Sequence, residues 1–311
     1  MRYCIFFMVM GLGARGYAQW TWTDVRGSAQ YDDARAVSTP TPYGSYTAGE
    51  AGAAVDGQPY AGAGDVLLIR HAYDGAPQWT RLAGSSNTDF ATAVAADASS
   101  NAYVAGLTSG AFDGETNAGG SAYFLIKYLP DGTRAWSRIR GAAAGTTAAA
   151  LAVPAAPLLV LAGDTAGALD GQPFAGMLDT LLCAWTLDGT QLWTRVRGTA
   201  TDEWLRAVAV RDSLICAAGS CLGSMDGQPF VGREDALLMA YDTNGTWRWT
   251  RTRGSDDDDT VTGVALDRAS NIYLTGYTFG AFDGQVNRGG ADIFLIKYDA
   301  AGTHQWTRFR G

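Results

Sequence analysis

The stretch VTGVALDRASNIYLTGYTFGAFDGQVNRGGADIFLIKYDAAGTHQWTRFRG, residues 261–311, decides the fold. Val261 to Leu266 and Asn271 to Gly276 read as strands, with Asp267-Arg268-Ala269-Ser270 as the turn between them. Phe279 to Gly290 is a Gly-rich loop. Asp292 to Tyr298 is a third strand, Asp299-Ala300-Ala301-Gly302 a tight turn, and Thr303 to Phe309 a fourth strand carrying Trp306. Apolar and β-branched runs cut by Asp, Asn and Gly are the signal of strands joined in hairpins. The chain shows no convincing helical periodicity.

The pattern repeats. Trp22, Trp79, Trp136, Trp193, Trp249 and Trp306 are spaced by 57, 57, 57, 56 and 57 residues. Each of the last five follows a glycine four positions earlier (Gly75, Gly132, Gly189, Gly245, Gly302), and all six precede one five positions later. A fixed long period belongs to solenoids, propellers or arrays, and four antiparallel strands per period make the blade of a β-propeller. The expectation is an all-β chain of five four-stranded blades, residues 28–84, 85–141, 142–198, 199–254 and 255–311, each burying both faces against its neighbours. Residues 20–27 form a sixth copy of the Trp strand alone. They leave one strand surplus in a closed five-bladed ring, so either 20–27 or 306–311 would be loosely attached. The alternative is an open arc, or part of a larger ring.

The text GAFDGQVNRGGADIFLIKYDAAGTHQWTRFRG, with VALDRASNIYLTGYT before it, resembles the bacterial-type SBBP β-propeller repeat family over essentially all of residues 20–311. Copies two and five match best; copies three and four carry Ala184 and Ala240 where Lys127 and Lys297 stand. The Asp-x-x-Gly-x-x-x-Trp turn is also similar to the tryptophan docking motif of quinoprotein propellers. The resemblance implies an exported or surface-exposed propeller and transfers no catalytic residues.

Arg2, the apolar run Ile5 to Met10 and the small residues before Gln19 read as a cleavable secretory signal over residues 1–18, cut near Ala18. No apolar stretch reaches the roughly 20 residues that span a bilayer. The expected location is secreted, extracellular or at the cell surface. A net charge of −8 repels phosphate backbones, which argues against a nucleic-acid partner; a protein or carbohydrate ligand is the expected class. Outside the signal, Cys183, Cys216 and Cys221 remain. Cys216 and Cys221 are either a disulfide or buried free thiols.

Three polar positions recur. An acid precedes the first strand of four copies, Asp32, Asp89, Glu203 and Asp259, with Thr146 in copy three. A ring of such acids at a channel mouth would take a cation or basic ligand; the competing reading is that each closes its own turn. The Asp-Gly loop gives Asp56 with Asp65, Asp170 with Asp179, Asp226 with Asp235 and Asp283 with Asp292, and Asp113 in copy two. Calcium, which takes six to eight oxygens, competes there with plain Asx turns. The Trp-Thr-Arg strand puts Trp193, Arg195 and Arg197 on one face, a surface for acidic glycans or a packing motif. His71 and His304, expected on the polar side of a hairpin, lack any nucleophile signature around them. A non-catalytic binding or adhesion scaffold, needing no cofactor, is the expected function. An extracellular polysaccharide hydrolase or lyase using the mouth carboxylates is the alternative.

Overall fold

The computed structural model describes residues 23–40, 44–155 and 157–311, and the backbone of three short strands nearer the N-terminus. Of the proposed signal only the backbone of Ile5–Phe6, Met10–Leu12 and Ala18 is described, and Trp22 lies outside the described residues. Every regular element described is a strand, and the chain divides into two compact units, residues 1–140 and 141–311.

The first unit opens with β1 (Ile5–Phe6), β2 (Met10–Leu12), β3 (Ala18–Trp20) and β4 (Val25–Arg26), β1 pairing with β4 and β2 with β3. Two antiparallel sheets follow. The first is β5 (Asp32–Ser38), β6 (Ser45–Ala51), β7 (Asp65–His71) and β8 (Pro77–Ala83). The second is β9 (Asp89–Ala96), β10 (Ala102–Thr108), β11 (Ala122–Tyr128) and β12 (Arg134–Arg140). The second unit holds three such sheets. They are β13 (Ala150–Ala152), β14 (Leu158–Thr165), β15 (Asp179–Thr186) and β16 (Gln191–Arg197); β17 (Glu203–Arg211), β18 (Leu214–Cys221), β19 (Asp235–Asp242) and β20 (Trp247–Arg253); and β21 (Asp259–Leu266), β22 (Ile272–Thr278), β23 (Asp292–Tyr298) and β24 (His304–Arg310). In each sheet the strands run in sequence order, with the Trp strand at one edge. These are the five four-stranded blades expected of the repeat.

The continuous apolar runs have a period-two explanation. On β19, Leu237 and Met239 pack back onto Val160 and Leu182 of the preceding sheet, while Leu238 packs forward against Leu274 and Phe294 of the next. The first unit repeats this, with Val66 and Leu68 against Phe124 and Ile126. Truncating one of these buried leucines to alanine costs about 2–5 kcal/mol.

The turn before each Trp strand closes by the same bonds. Gly302 donates its N–H to the Asp299 carbonyl (2.9 Å) and sits at φ +77°, and pairing slips by one residue between Lys297 and Tyr298. A tight turn ending in a left-handed glycine and a bulge is a common hairpin closure. A Cβ on Gly302 would also lie 2.8 Å from the Trp249 ring, so the turn doubles as a seat for the previous blade's tryptophan.

Two departures from regularity stand out. The first strand of the third sheet is only three residues long. Thr146 replaces the acid there, and Pro154 ends the pairing early. The last sheet does not bury both faces: Ile293 and Leu295 are 61% and 38% exposed, whereas Ala236 and Leu238, one repeat earlier, are buried. The expectation that every blade is covered on both sides fails at this blade.

Candidate functional site

Asp32, Asp89, Glu203 and Asp259 are all buried. Each carboxylate accepts the backbone N–H four residues before it: Ser28 (2.5 Å), Ser85 (2.6 Å), Thr199 (2.6 Å) and Ser255 (2.5 Å). The Ser85 and Ser255 hydroxyls add second bonds at 2.8 and 2.9 Å, and the Thr199 hydroxyl does the same for Glu203 at 2.5 Å. In the third blade the Thr146 hydroxyl takes this place, accepting the Ala142 N–H at 2.8 Å. The four acids are thus local clamps on the entry to each blade.

The eight Asp-Gly-loop aspartates divide into two sets that are not partners of each other. Asp65, Asp179, Asp235 and Asp292 are buried and repeat the clamp, accepting N–H from Ala61, Ala175, Val231 and Arg288 at 2.8, 2.9, 3.1 and 2.9 Å. Asp56, Asp170, Asp226 and Asp283 lie at φ 50–53°, a left-handed conformation that aspartate tolerates better than most residues. Their carboxylates accept the hydroxyls of Thr80, Thr194, Thr250 and Thr307 on their own Trp strands. Three also take an arginine from the strand before: Arg26–Asp56 at 2.7 Å, Arg197–Asp226 at 2.5 Å, and Arg253–Asp283. Asp113 receives Arg134 instead, at 2.7 Å, because Ala83 stands where those arginines stand.

Arg26 belongs to the partial copy at the N-terminus. It serves the first blade as Arg197 and Arg253 serve the blades that follow them, so Arg26 is docked on Asp56.

The two buried acid sets do converge, across blades. A Cβ on Gly84 would lie 2.6 Å from Asp65 Oδ1 and 3.0 Å from Asp89 Oδ2. Gly198 stands likewise between Asp179 and Glu203, and Gly254 between Asp235 and Asp259. The Oδ1 atoms of Asp65, Asp179 and Asp235 have no hydrogen-bond partner. Burial, reinforced by the Asp259 charge, pushes the Asp235 carboxyl up to about 6. Burial raises Asp65 and Glu203 too, with the neighbouring Asp89 and Asp179 charges adding to it. Sequence reasoning missed this pairing. Its signal was the glycine five residues after each repeated Trp, the only residue that fits between two carboxylates. Among the described residues no cluster of three or more Asp, Glu, His or Cys is arranged to hold a metal.

Arg81, Arg138, Arg195, Arg251 and Arg308 lie over Trp79, Trp136, Trp193, Trp249 and Trp306, 5.1–5.7 Å from the ring centroids. Trp193 Nε1 donates to the Thr243 carbonyl at 3.0 Å and Arg195 Nε to Gly245 at 2.7 Å, both in the next blade's turn. The pattern is an interblade fastener. His71 is fully buried, with Nε2 3.0 Å from Asp24, so it is not on a polar face. His304 Nε2 lies 2.9 Å from the Thr307 hydroxyl. Cys183, Cys216 and Cys221 are all buried; Cys216 and Cys221 are free thiols, and burial raises both to about 12.

A concave polar surface lies elsewhere. In the second unit a groove of about 590 Å³ is lined by Asp170, Gln172, Gln191, Leu192, Trp193 and Asn244, among others. Leu192 is half exposed there, where other copies carry Gln78, Ala135, Arg248 or Gln305. That departure from the repeat was the available sequence signal.

A relative in Caulobacter vibrioides, "Regulatory protein FlaEY", is 26% identical over 149 residues, covering 45% of this chain and only 15% of that protein. Similar solved structures include a subtype N10 neuraminidase-like protein of A/little yellow-shouldered bat/Guatemala, at TM-score 0.47 and 11% identity, covering 90% of this chain and 82% of that one. A gluconolactonase from Xanthomonas campestris gives TM-score 0.44 at 10% identity over 92% and 78%. The WD40 β-propeller domain of Doa1 gives 0.32 at 10% over 86% and 94%. No helix described is long and apolar enough to cross a membrane. The β-propeller repeat model named SBBP matches residues 78–113 and 249–283, each running from a Trp strand to the Asp-Gly turn of the next blade. The chain therefore carries SBBP-type β-propeller repeats at residues 78–113 and 249–283, within five four-stranded sheets built on one 57-residue pattern.

Proposed function

We propose that the protein is exported, through the signal at residues 1–18, and acts as a non-catalytic scaffold that binds a protein or carbohydrate ligand. The observation that carries the reading is that Asp32, Asp89, Glu203 and Asp259 are buried and spent on backbone amides. A general acid or base must reach its substrate, and these carboxylates face their own turns. The polar groove at Gln172, Leu192 and Asn244 is the place for a ligand. An apolar contact ringed by amides and a carboxylate suits sugar hydroxyls, which both donate and accept. The relative's description as a regulatory protein is compatible with a binding role.

A glycan array probed with the chain lacking residues 1–18, run beside a reducing-sugar assay on the same glycans, tests this. Binding without turnover, lost in Leu192→Asp and Asn244→Ala, is the expected result. Turnover abolished by Asp89→Asn or Asp259→Asn would establish the hydrolase or lyase instead.

A further inference from the structure

The last blade presents a face with a legible chemistry. Strand pairing sets three rows across it: Tyr277, Ile293 and Arg310; Thr275, Leu295 and Arg308; Tyr273, Lys297 and Trp306. Tyr277 is 38% exposed and Arg310 is exposed, in addition to Ile293 and Leu295. Such a contiguous apolar patch with a polar margin marks an interaction surface.

The equivalent groups on earlier blades show what the margin is for. Trp79 and Trp193 donate Nε1 to the carbonyls of Pro130 and Thr243, each at 3.0 Å. Arg81, Arg195 and Arg251 donate Nε to the carbonyls of Gly132, Gly245 and Gly302 at 2.8, 2.7 and 2.8 Å. Arg197 and Arg253 pair with Asp226 and Asp283. Every one of these acceptors lies on the following blade. Among the described residues Arg308, by contrast, donates only to the neighbouring Thr307 carbonyl and covers Trp306.

We propose that this face docks a further blade of the same repeat type. Its Asp-x-x-Gly turn would supply carbonyls to Trp306 and Arg308, and its Asp-Gly turn a carboxylate to Arg310. The apolar centre alone would accept many partners; the three donors select this one. A second copy is disfavoured face to face, since Lys297, Arg308 and Arg310 would meet themselves. It is disfavoured head to tail too, because Asp56 of the first blade already holds Arg26 and Thr80.

The test is a chain extended by one additional copy of residues 255–311 after Gly311, compared with the original chain by hydroxyl-radical footprinting. The expected result is strong labelling of Tyr277, Ile293 and Leu295 in the original chain. In the extended chain it falls to the level of buried Leu238. Arg308→Ala with Arg310→Ala in the extended chain restores part of the labelling. Thermal melting supplies a second measurement: Ile293→Asp leaves the midpoint of the original chain unchanged and lowers that of the extended chain. Labelling that stays high after extension, or equal effects of Ile293→Asp on both chains, overturns the proposal. So does an original chain that sediments as a dimer with Ile293 protected, which would make a second copy the occupant.

Discussion

At the scale of the residue, the glycine that closes each Trp-Thr-Arg phrase has the sharpest role. Gly254 separates two buried carboxylates, Asp235 and Asp259, and any side chain there meets both. Gly254→Ala therefore costs stability through overpacking, about 1–3 kcal/mol, measured as a lower urea midpoint with unchanged slope. Gly227 is the comparison, because a Cβ there meets nothing within 4 Å. Its φ of +72° still penalises alanine, but only by the backbone cost of about 1 kcal/mol. If the two variants melt alike, the carboxylate pair is not what the glycine protects.

At the scale of the element, the Trp strand can be measured against itself. Trp249 rests on Gly302 of the next blade, and a truncation to alanine there costs about 3–5 kcal/mol. Trp306 packs against Tyr273 and Arg308 of its own blade, so Trp306→Ala should cost less than half as much in the same denaturation assay. Equal losses would mean that the tryptophan acts within its own sheet. The strands themselves were legible because each is a β-branched or apolar run ended by Asp or Gly. Asp292 to Tyr298, read from the sequence as the third strand of its copy, is the observed β23. The short β13 was hidden because Ala149 to Ala152 carries no alternation to set a register. The docking of Arg26 on Asp56, and the pairing of Asp65 with Asp89 rather than with Asp56, were not legible. Both link residues of adjoining blades, and a linear period fixes position within a blade but not which faces meet.

At the scale of the whole molecule, the buried carboxyl pairs act together on stability. Asp235 titrates near 3.8 in the unfolded chain and at about 6 when folded; Asp65 and Glu203 shift the same way, through burial. A raised folded value means that the native protein holds a proton that the unfolded chain has released. The stabilisation is complete below the unfolded value and is lost as pH rises through the folded one. Asp267 and Asp188 are lowered by hydrogen bonds from Asn271 and Thr186. Their contribution is present above 3.8 and lost only as pH falls below it, outside this window. His304, lowered by burial, opposes this within the window, but the buried carboxyls are more numerous, so between about pH 4 and 6 they set the sign and stability should fall as pH rises. Asparagine at 65, 179 and 235 keeps a carbonyl for the Ala61, Ala175 and Val231 amides and turns the unpartnered Oδ1 into a donor facing the second carboxylate. The triple variant Asp65→Asn, Asp179→Asn and Asp235→Asn should thus be more stable than the parent at pH 7, with a flatter urea midpoint between pH 4.5 and 7. A parent whose midpoint rises steadily from pH 4.5 to 7 would show that the paired carboxyls are both ionised in the folded protein and held by something other than a shared proton.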